Sequence, residues 1–444
     1  MKRLIVVTLA LLLLALPFGV FAQDATEEPV VTQAQVVLDQ LNNGDFAGIY
    51  EQFTAQVQAA LTVEQLQQGW DSVVQQVGAF QSVAATEYLA DTNTAVLHLQ
   101  FELIMLDLRV TYDAEGKISG LQFTPSTYQA AEVPTFEPPP YADESAFTET
   151  ELTINQGGDF PLSATLSLPN GAGPFPAIIL LSGSGTNDED ETVGPNKPFL
   201  DLAWGLATQG VAVLRFPKRP TIYANELDLA SFTIDQEYTE DALAALELLR
   251  NTEGVDPERI YIAGHSLGGY ILPRIAAQAS DIAGLIYLAP LARSLQDAIR
   301  DQYAYLLSLS GASDVVTLSI LDNLANVINT LTEEDADDPT MLFGSRPIYY
   351  LDLQGYDPVA TAVELEMPML FIQGERDYQV TVEDDLALWQ AGLGAREDVS
   401  FEAFPTLNHL LMPGTGASTP AEYQTPGHVD GGVITTIAEW IEGQ

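Results

Sequence analysis

The sequence predicts a small α+β domain followed by a larger α/β domain, whose mostly parallel sheet is covered by helices on both faces. Three observations support this fold class. Helical patterns precede strand-like runs in residues 30–124, strand-like runs alternate with helical patterns from residue 147 onward, and a proline-rich segment separates the two regions. Alternation of strands and helices is typical of parallel sheets, because the crossover helices cover both faces.

Residues 1–22 have the pattern of an export signal. A cationic start, Met1-Lys2-Arg3, precedes an almost wholly apolar run from Leu4 onward, and small residues stand at the two positions that a signal peptidase recognises. A retained membrane anchor is the alternative, because the apolar run is close to the lower length limit for a span. We expect cleavage, a secreted or periplasmic mature protein, and no stable membrane association afterwards.

Composition argues against several classes of function. Lys and Arg number 16 against 62 Asp and Glu residues, a formal net charge of −46. Such a field repels nucleic acid and anionic lipid, so we expect neither as a partner. The chain has no Cys, which rules out disulfides, thiolate metal sites and a Cys nucleophile. No His, Asp or Glu cluster has metal-ligand spacing, so we expect no metal and no other cofactor.

Residues 30–124 predict one small α+β domain. Thr62 followed by Gln65 is a capping-box pattern at the start of a helix. Strand-like runs follow at residues 79–89, 94–105, 107–112 and 118–123. Helices before a meandering sheet resemble the nuclear-transport-factor-2-like cone and, more closely, the small domain of unknown function that bacteria fuse in front of secreted hydrolases. We expect a structural or pocket-lining role for His98.

The proline-rich residues 125–146 predict an extended linker. Beyond it lie eight strand-like runs, at residues 148–154, 162–168, 177–181, 211–216, 259–263, 284–288, 369–373 and 399–404. Helical patterns lie between the later runs, at residues 199–209, 236–251, 269–279, 382–391 and 433–442. This order predicts that residues 147–444 form the eight-stranded sheet of an α/β-hydrolase fold.

Residues 291–350 interrupt the alternation. They carry several helical patterns without a convincing strand. In the α/β-hydrolase fold, caps over the active site are inserted at this place in the chain. We therefore expect a helical lid there, apolar on its inner face.

The peptide Gly264-His265-Ser266-Leu267-Gly268 fits the G-x-S-x-G nucleophile elbow. A strand is predicted before it and a helix after it, which is the context that the motif requires. The turn is so sharp that a side chain two residues from the Ser would collide with the neighbouring backbone. We predict that Ser266 is a nucleophile; the alternative is a small residue in a tight turn.

A Ser nucleophile needs a base, and the base needs an orienting acid. Asp377 follows the seventh strand-like run, and Glu375 beside it is the alternative acid. His409 lies in the loop after the last strand, and His428, before the last helix, is the alternative base. We predict a triad of Ser266, Asp377 and His409; Asp377 is chosen over Glu375 because G-x-x-D after this strand is the pattern of the α/β-hydrolases that the chain resembles.

Acyl transfer also needs N–H donors aimed at the developing oxyanion. The backbone N–H of Leu267 is one candidate. We expect the second to be the backbone N–H of Ser184 in the turn at residues 182–185, for which an ordinary Gly-rich loop is the alternative. The ring of His265 should point away from Ser266.

A family resemblance rests on six stretches: "LLSGSGTNDED", "LRFPKR", "AGHSLGG", "YYLDLQGYDPV", "QGERDYQV" and "LNHLL". Over residues 147–443 they resemble bacterial α/β-hydrolases related to acyl esterases and to cephalosporin-C and acetyl-xylan deacetylases. The chain departs from that pattern twice. Ser182 stands where the family has His, which leaves the backbone donors intact. Residues 215–220 replace R-Y-D-K-R-G, which puts any role of that loop in substrate binding in doubt.

The triad and the resemblance together predict a secreted serine hydrolase that cleaves carboxylic esters of small or medium substrates through an acyl-enzyme. A serine peptidase of the prolyl-oligopeptidase-like kind uses the same triad order, although no propeller-length repeat precedes the linker. A binding module with a vestigial triad is the other alternative. Residue patterns leave open the natural substrate, the choice between esterase and deacetylase, and the oligomeric state.

Overall fold

The computed structural model describes residues 29–444 except 79, 102–103, 127, 129–135, 280 and 310–314. The predicted signal at residues 1–22 lies outside the described residues. The chain divides into two compact units at residues 133–134. Across the described ranges, no helix is long and apolar enough to cross a membrane.

The small unit consists of helices followed by an antiparallel sheet. The helices are α1 (Pro29–Asn42), α2 (Phe46–Gln52), α3 (Ala55–Ala60) and α4 (Val63–Val77). The strands β1 (Phe80–Leu89), β2 (Thr94–Phe101), β3 (Met105–Tyr112) and β4 (Ile118–Pro125) pair in chain order. Apolar side chains of α1 pack with alternate side chains of β2 and β3 in one core. The predicted order of helices before a meandering sheet is confirmed.

Details of the small unit follow from local contacts. The Thr62 side chain accepts from the Gln65 N–H at 3.3 Å and the Gln65 side chain accepts from the Thr62 N–H at 3.0 Å, so the capping box forms. The predicted strand at residues 94–105 ends earlier, at Phe101, whose N–H donates to the Ile104 carbonyl at 3.0 Å as the chain reverses. Nδ1 of His98 lies 2.7 Å from an Asp107 carboxylate oxygen, in a buried pair between β2 and β3.

The large unit is built on the predicted eight-stranded sheet, which is confirmed. Its strands are β5 (Phe147–Ile154), β6 (Leu162–Pro169), β7 (Phe175–Leu181), β8 (Ala212–Arg215), β9 (Val255–His265), β10 (Gly284–Leu288), β11 (Met369–Gly374) and β12 (Val399–Phe404). The spatial order is β12-β11-β10-β9-β7-β8-β6-β5. Strand β6 is antiparallel to both neighbours and every other pairing is parallel.

Helices cover both faces of this sheet. They are α5 (Pro198–Thr208), α6 (Arg219–Tyr223), α7 (Glu240–Arg250), α8 (Leu267–Ala276), α9 (Leu295–Leu309), α10 (Val315–Asn329), α11 (Pro347–Leu353), α12 (Pro358–Val363), α13 (Ala387–Leu393) and α14 (Gly431–Glu442). Successive side chains of a strand point to opposite faces. Ile178 of β7 therefore enters the core with α5 and α14, and Ile179 enters the core with α7 and α8.

The insertion at residues 291–350 contains α9, α10 and the start of α11. In α9, the Tyr305 ring stacks on the Tyr378 ring with 4.9 Å between centroids. The Tyr305 hydroxyl donates to the Ser418 carbonyl at 2.9 Å. Because Tyr378 follows the carboxyl end of β11, helix α9 lies at that edge of the sheet, where the predicted acid also stands.

Part of the stretch predicted as a linker packs on the large unit. The Tyr141 hydroxyl donates to the Val429 carbonyl at 2.7 Å. Cβ atoms placed on Gly205 and Gly431 would lie 2.9 and 3.2 Å from the Tyr141 ring, so that ring fills the space between α5 and α14. In addition, the Phe136 ring packs edge-on against the Trp204 ring, with 5.9 Å between the ring centroids. Residues 136–146 thus stabilise the large unit.

We expect a fragment of residues 134–444 to be more stable than one of residues 147–444 by about 2–4 kcal/mol. The shorter fragment loses the buried Tyr141 ring and leaves a cavity in its place. Urea unfolding followed by circular dichroism measures the difference. As a control, Tyr141→Phe in the longer fragment removes only the hydroxyl bond and should cost about 1 kcal/mol. Equal stability of the two fragments would show that residues 136–146 contribute nothing to folding.

Candidate active site

Ser266 occupies a strained turn between β9 and α8. Its φ of 53° and ψ of −115° lie in a backbone region that residues other than glycine rarely adopt. The Ser266 N–H donates to the Leu288 carbonyl at 3.0 Å, and the Ser266 carbonyl accepts from the Tyr270 N–H at 3.1 Å. Such strain persists only where the surroundings hold it in place. The turn presents a partly exposed Ser266 at the carboxyl end of β9.

The two glycines of the motif permit close backbone approach on each side of Ser266. A Cβ on Gly264 would lie 2.4 Å from the Gly268 carbonyl oxygen. A Cβ on Gly268 would lie 2.4 Å from the Leu181 carbonyl oxygen and 2.7 Å from that of Ser182. Because the clashing atoms belong to the backbone, neither position has room for a side chain.

His409 is paired with Asp377. Nδ1 of His409 lies 2.7 Å from Oδ2 of Asp377, and each residue is 5% exposed. The other carboxylate oxygen accepts from the N–H groups of Gln379 at 2.8 Å and Val380 at 3.0 Å, which fixes its orientation. Glu375, the alternative acid, is exposed. The geometry therefore joins His409 to Asp377.

The two loops that carry this pair meet because Gly374 ends β11. A Cβ on Gly374 would lie 2.3 Å from the Leu407 carbonyl oxygen, so only glycine allows this approach. The loop after β12 is held by Asn408, whose side-chain oxygen accepts from the N–H groups of Leu410 at 3.0 Å and Met412 at 3.2 Å. This bracing fixes the position of His409.

His428, the alternative base, has a different partner. Its Nδ1 lies 3.0 Å from Oδ1 of Asp201 in α5, and Oδ2 of Asp201 accepts from the Val429 N–H at 2.9 Å. Burial raises the pKa of Asp201 to about 6. The structure therefore ties His428 to α5. Among the described residues, no group of three or more His, Asp or Glu side chains is placed to hold a metal.

His265 connects the nucleophile turn to the base. In the described part of the chain, the Ser266 hydroxyl makes no hydrogen bond to His409. Instead, Nε2 of His265 lies 2.9 Å from the His409 carbonyl oxygen, and the two rings are 4.6 Å apart between centroids. Nδ1 of His265 lies 2.9 Å from Oε1 of Glu191. Bonds between nucleophile and base are often long before substrate binds.

The turn at residues 182–185 passes directly over Ser266. A Cβ on Gly183 would lie 3.1 Å from Cβ of Ser266. The Gly183 N–H donates to Oε1 of Glu191 at 2.6 Å and is therefore engaged. Within the described ranges, by contrast, the backbone N–H groups of Ser184 and Leu267 donate no hydrogen bond. These two donors remain for an oxygen atom placed near Ser266.

The carbonyl of Gly183 is held by three donors. It accepts from Nζ of Lys218 at 2.5 Å, from the Tyr238 hydroxyl at 2.7 Å and from the Asn187 amide at 3.1 Å. In a planar trans peptide, the N–H of the next residue points away from the carbonyl. The three donors therefore set the direction in which the Ser184 N–H points.

The sequence did not predict that Lys218, in the stretch at residues 215–219, holds the Gly183 carbonyl. Its three cations are buried and each pairs with a carboxylate: Arg215 with Asp190 at 2.8 Å, Lys218 with Glu237 at 2.6 Å and Arg219 with Asp241 at 2.6 Å. Burial lowers the pKa of Lys218. The sequence did contain one indication that this stretch is unusual, because three of the 16 Lys and Arg residues of the chain fall within residues 215–219.

Two cavities are lined in part by the insertion at residues 291–350. One of ≈ 650 Å³ lies between the insertion and the body, lined among others by Leu295, Ile328 and Val359. A second of ≈ 370 Å³ is lined by Asp377 and by the stacked tyrosines at its rim. Ser266 lines neither of them.

Comparisons with known proteins add relatives. A model of the alpha/beta hydrolase family matches residues 178–423, and a model described as a protein of unknown function matches residues 34–121. Esterase EstD of Thermotoga maritima is 37% identical over 437 residues, 98% of either chain. A Pyrococcus furiosus esterase structure is 16% identical over 70% of this chain and 98% of its own, with a TM-score of 0.42. The structure of Est1E from Butyrivibrio proteoclasticus is 19% identical over 66% of this chain and 96% of its own, with a TM-score of 0.40.

Proposed function

This chain belongs to the alpha/beta hydrolase family, and from that premise we propose that it is a serine esterase acting on carboxylic esters of small or medium size. The observation that carries the proposal is the pairing of His409 with Asp377 at 2.7 Å, next to a strained Ser266 elbow. The name of the relative from Thermotoga maritima, an esterase, supports the same reaction class.

In the proposed reaction, the Ser266 hydroxyl attacks the ester carbonyl carbon. Because Nδ1 of His409 faces Asp377, Nε2 is the atom left to take the Ser266 proton. The new Oγ–C bond leaves a tetrahedral oxyanion, whose collapse breaks the bond to the alcohol. His409 returns the proton to that alcohol, and water then releases the acid from Ser266 by the same steps. Asp377 orients the ring and stabilises the imidazolium.

The oxyanion is stabilised by the backbone N–H groups of Leu267 and Ser184. Neither N–H donates to another group among the described residues. The Ser184 N–H is oriented by the donors that hold the Gly183 carbonyl. Preorganised donors of this kind contribute strongly because they need no rearrangement as charge develops, and loss of one typically costs about 10²–10³ in kcat.

The helices of the insertion support a limit on substrate size. Helix α9 reaches the acid loop through the stack of Tyr305 on Tyr378. A cover at this edge of the sheet excludes polymer chains while it contacts a modest acyl or leaving group. An export signal at residues 1–22 would place the hydrolysis of such esters outside the cytoplasm.

The test is a panel of p-nitrophenyl esters of increasing acyl length, together with an acetylated sugar and an aminoacyl anilide. We expect kcat/KM to be highest for short acyl chains, to fall as the chain lengthens, and to be negligible for the anilide. A fluorophosphonate probe should label the folded chain and fail to label Ser266→Ala. Turnover of the anilide at the rate of the esters would indicate a peptidase, and absence of labelling would indicate a binding module.

A further inference from the structure

The imidazole of His265 lies between two hydrogen-bond acceptors. Nδ1 is 2.9 Å from Oε1 of Glu191 and Nε2 is 2.9 Å from the His409 carbonyl oxygen. A backbone carbonyl only accepts hydrogen bonds, and so does an ionised carboxylate. Both ring nitrogens must then donate, which only the imidazolium form of His265 does.

The Glu191 carboxylate faces hydrogen-bond donors at one oxygen and has no hydrogen-bond partner at the other. Oε1 accepts from two donors, the Gly183 N–H and the His265 ring, and a proton on that oxygen would face both of them. Oε2 is buried without a hydrogen-bond partner, so a proton there would be a donor with no acceptor. A buried carboxylate in turn needs a nearby cation. His265 supplies that charge from within hydrogen-bond distance.

Other charged groups face this pair. Burial lowers the pKa of His265, but the Glu191 carboxylate, with smaller contributions from the His409 carbonyl and Asp377, outweighs it, so the pKa is raised above its ordinary value. The His409 ring itself lies 4.6 Å away. The Lys218 ammonium also interacts electrostatically with Glu191. The electrostatic potential at the His265 ring is thus set mainly by carboxylates, which favour the protonated ring.

We propose that the His265 imidazolium is a charged positioning residue that joins three parts of the active site. It adjoins Ser266 in sequence, it bonds the carboxylate that holds Gly183 over that residue, and it bonds the backbone of His409. The proposal rests on the esterase function proposed above. When the ring loses a proton, one of its two bonds is lost and the attached loop is released, and a displacement of about 1 Å can cost about 10² in rate.

The kinetic test uses Glu191→Gln and His265→Gln. A raised pKa means that the contribution of His265 is complete below its unfolded value of about 6.5 and is lost as pH rises through the folded value. Glu191→Gln removes the carboxylate that raises the pKa of His265. The alkaline limb of the plot of kcat against pH should therefore move at least about one pH unit lower. His265→Gln should remove that limb and lower kcat about 10- to 100-fold, with KM changed less than about threefold. An equal loss at every pH in Glu191→Gln would overturn the proposal.

The matched control is His428→Gln. It breaks another His–carboxylate pair of the same unit, in which a partly exposed His428 bonds the buried Asp201. We expect this variant to be less stable while its kcat profile keeps the shape of the parent. If His428→Gln shifted the alkaline limb as Glu191→Gln does, the shift would reflect general destabilisation and the proposal would fall.

A direct measurement is independent of turnover. Histidine labelled with ¹⁵N gives ring signals that distinguish imidazolium from neutral imidazole, and the signals missing from His265→Gln identify this ring. At pH 6.5, where a His ring of ordinary pKa is half neutral, we expect both its nitrogens to be protonated. A neutral ring at that pH would overturn the proposal even in a fully active esterase. A charged ring in a chain that cleaves no ester would instead refute only the proposed function.

Discussion

Replacing Ser266 by Ala is expected to lower kcat on a short p-nitrophenyl ester by about 10⁴-fold or more, with little change in KM. His409→Ala should have an effect of similar size, because members of a triad act as a unit and removal of one disables the others. The physical reason is the chain of contacts from the strained elbow to the buried pair with Asp377. Steady-state kinetics on purified variants measure both losses.

The control for this result is His428→Ala. His428 is bonded to Asp201 in α5, so its removal should leave kcat within about twofold of the parent. Full activity in His409→Ala together with an inactive His428→Ala would show that the base has been assigned to the wrong residue.

Gly268→Ala is expected to have the second largest effect, a loss of about 3 kcal/mol in the free energy of unfolding of the large unit. The added Cβ would lie 2.4 Å from the Leu181 carbonyl oxygen and 2.7 Å from that of Ser182. To relieve the clash, β7 or α8 must move, and the turn at residues 182–185 moves with them. We therefore also expect kcat to fall about 10²-fold in the molecules that remain folded. Urea unfolding and kinetics on the same preparation separate the two effects.

A matched glycine substitution is offered by Gly69 in α4. A Cβ there meets nothing within 4 Å, so Gly69→Ala should stabilise the small unit by about 1 kcal/mol through helix propensity. Parental stability and activity in Gly268→Ala would contradict the close backbone packing at the elbow.

The sheet was predictable because strands buried on both faces are short, continuous apolar runs. Residues 284–288 and 399–404 form strands at the predicted positions, and the insertion between β10 and β11 is helical. The nucleophile turn was predictable for a different reason: its backbone geometry demands glycine on each side of Ser266, which leaves a trace in the sequence. The predicted acid and base were assigned from their places after the last two strands and from the family pattern, and the structure places Asp377 and His409 2.7 Å apart.

The groups that brace the site were not predictable in this way. Glu191 lies in an acidic stretch that is indistinguishable in sequence from a solvated loop, and its partner His265 is 74 residues away. Lys218 likewise contacts Gly183 across 35 residues. Contacts between distant polar side chains have no periodicity, so only the folded chain reveals them. Tyr141 was assigned to the linker because prolines precede it, although its ring is held between two helices.

The order of the strands has a consequence for the growing polypeptide. From β9 the sheet extends outward in chain order through β10 and β11 to β12. A ribosome therefore delivers the turn over Ser266 and Ser266 itself well before Asp377 and His409. Until the last two strands have joined, a nascent chain has the proposed nucleophile without the proposed base, and His265 has only one of its two acceptors. If the proposed triad is correct, we expect ester hydrolysis to require the completed edge of the sheet and an unfinished chain to be inactive.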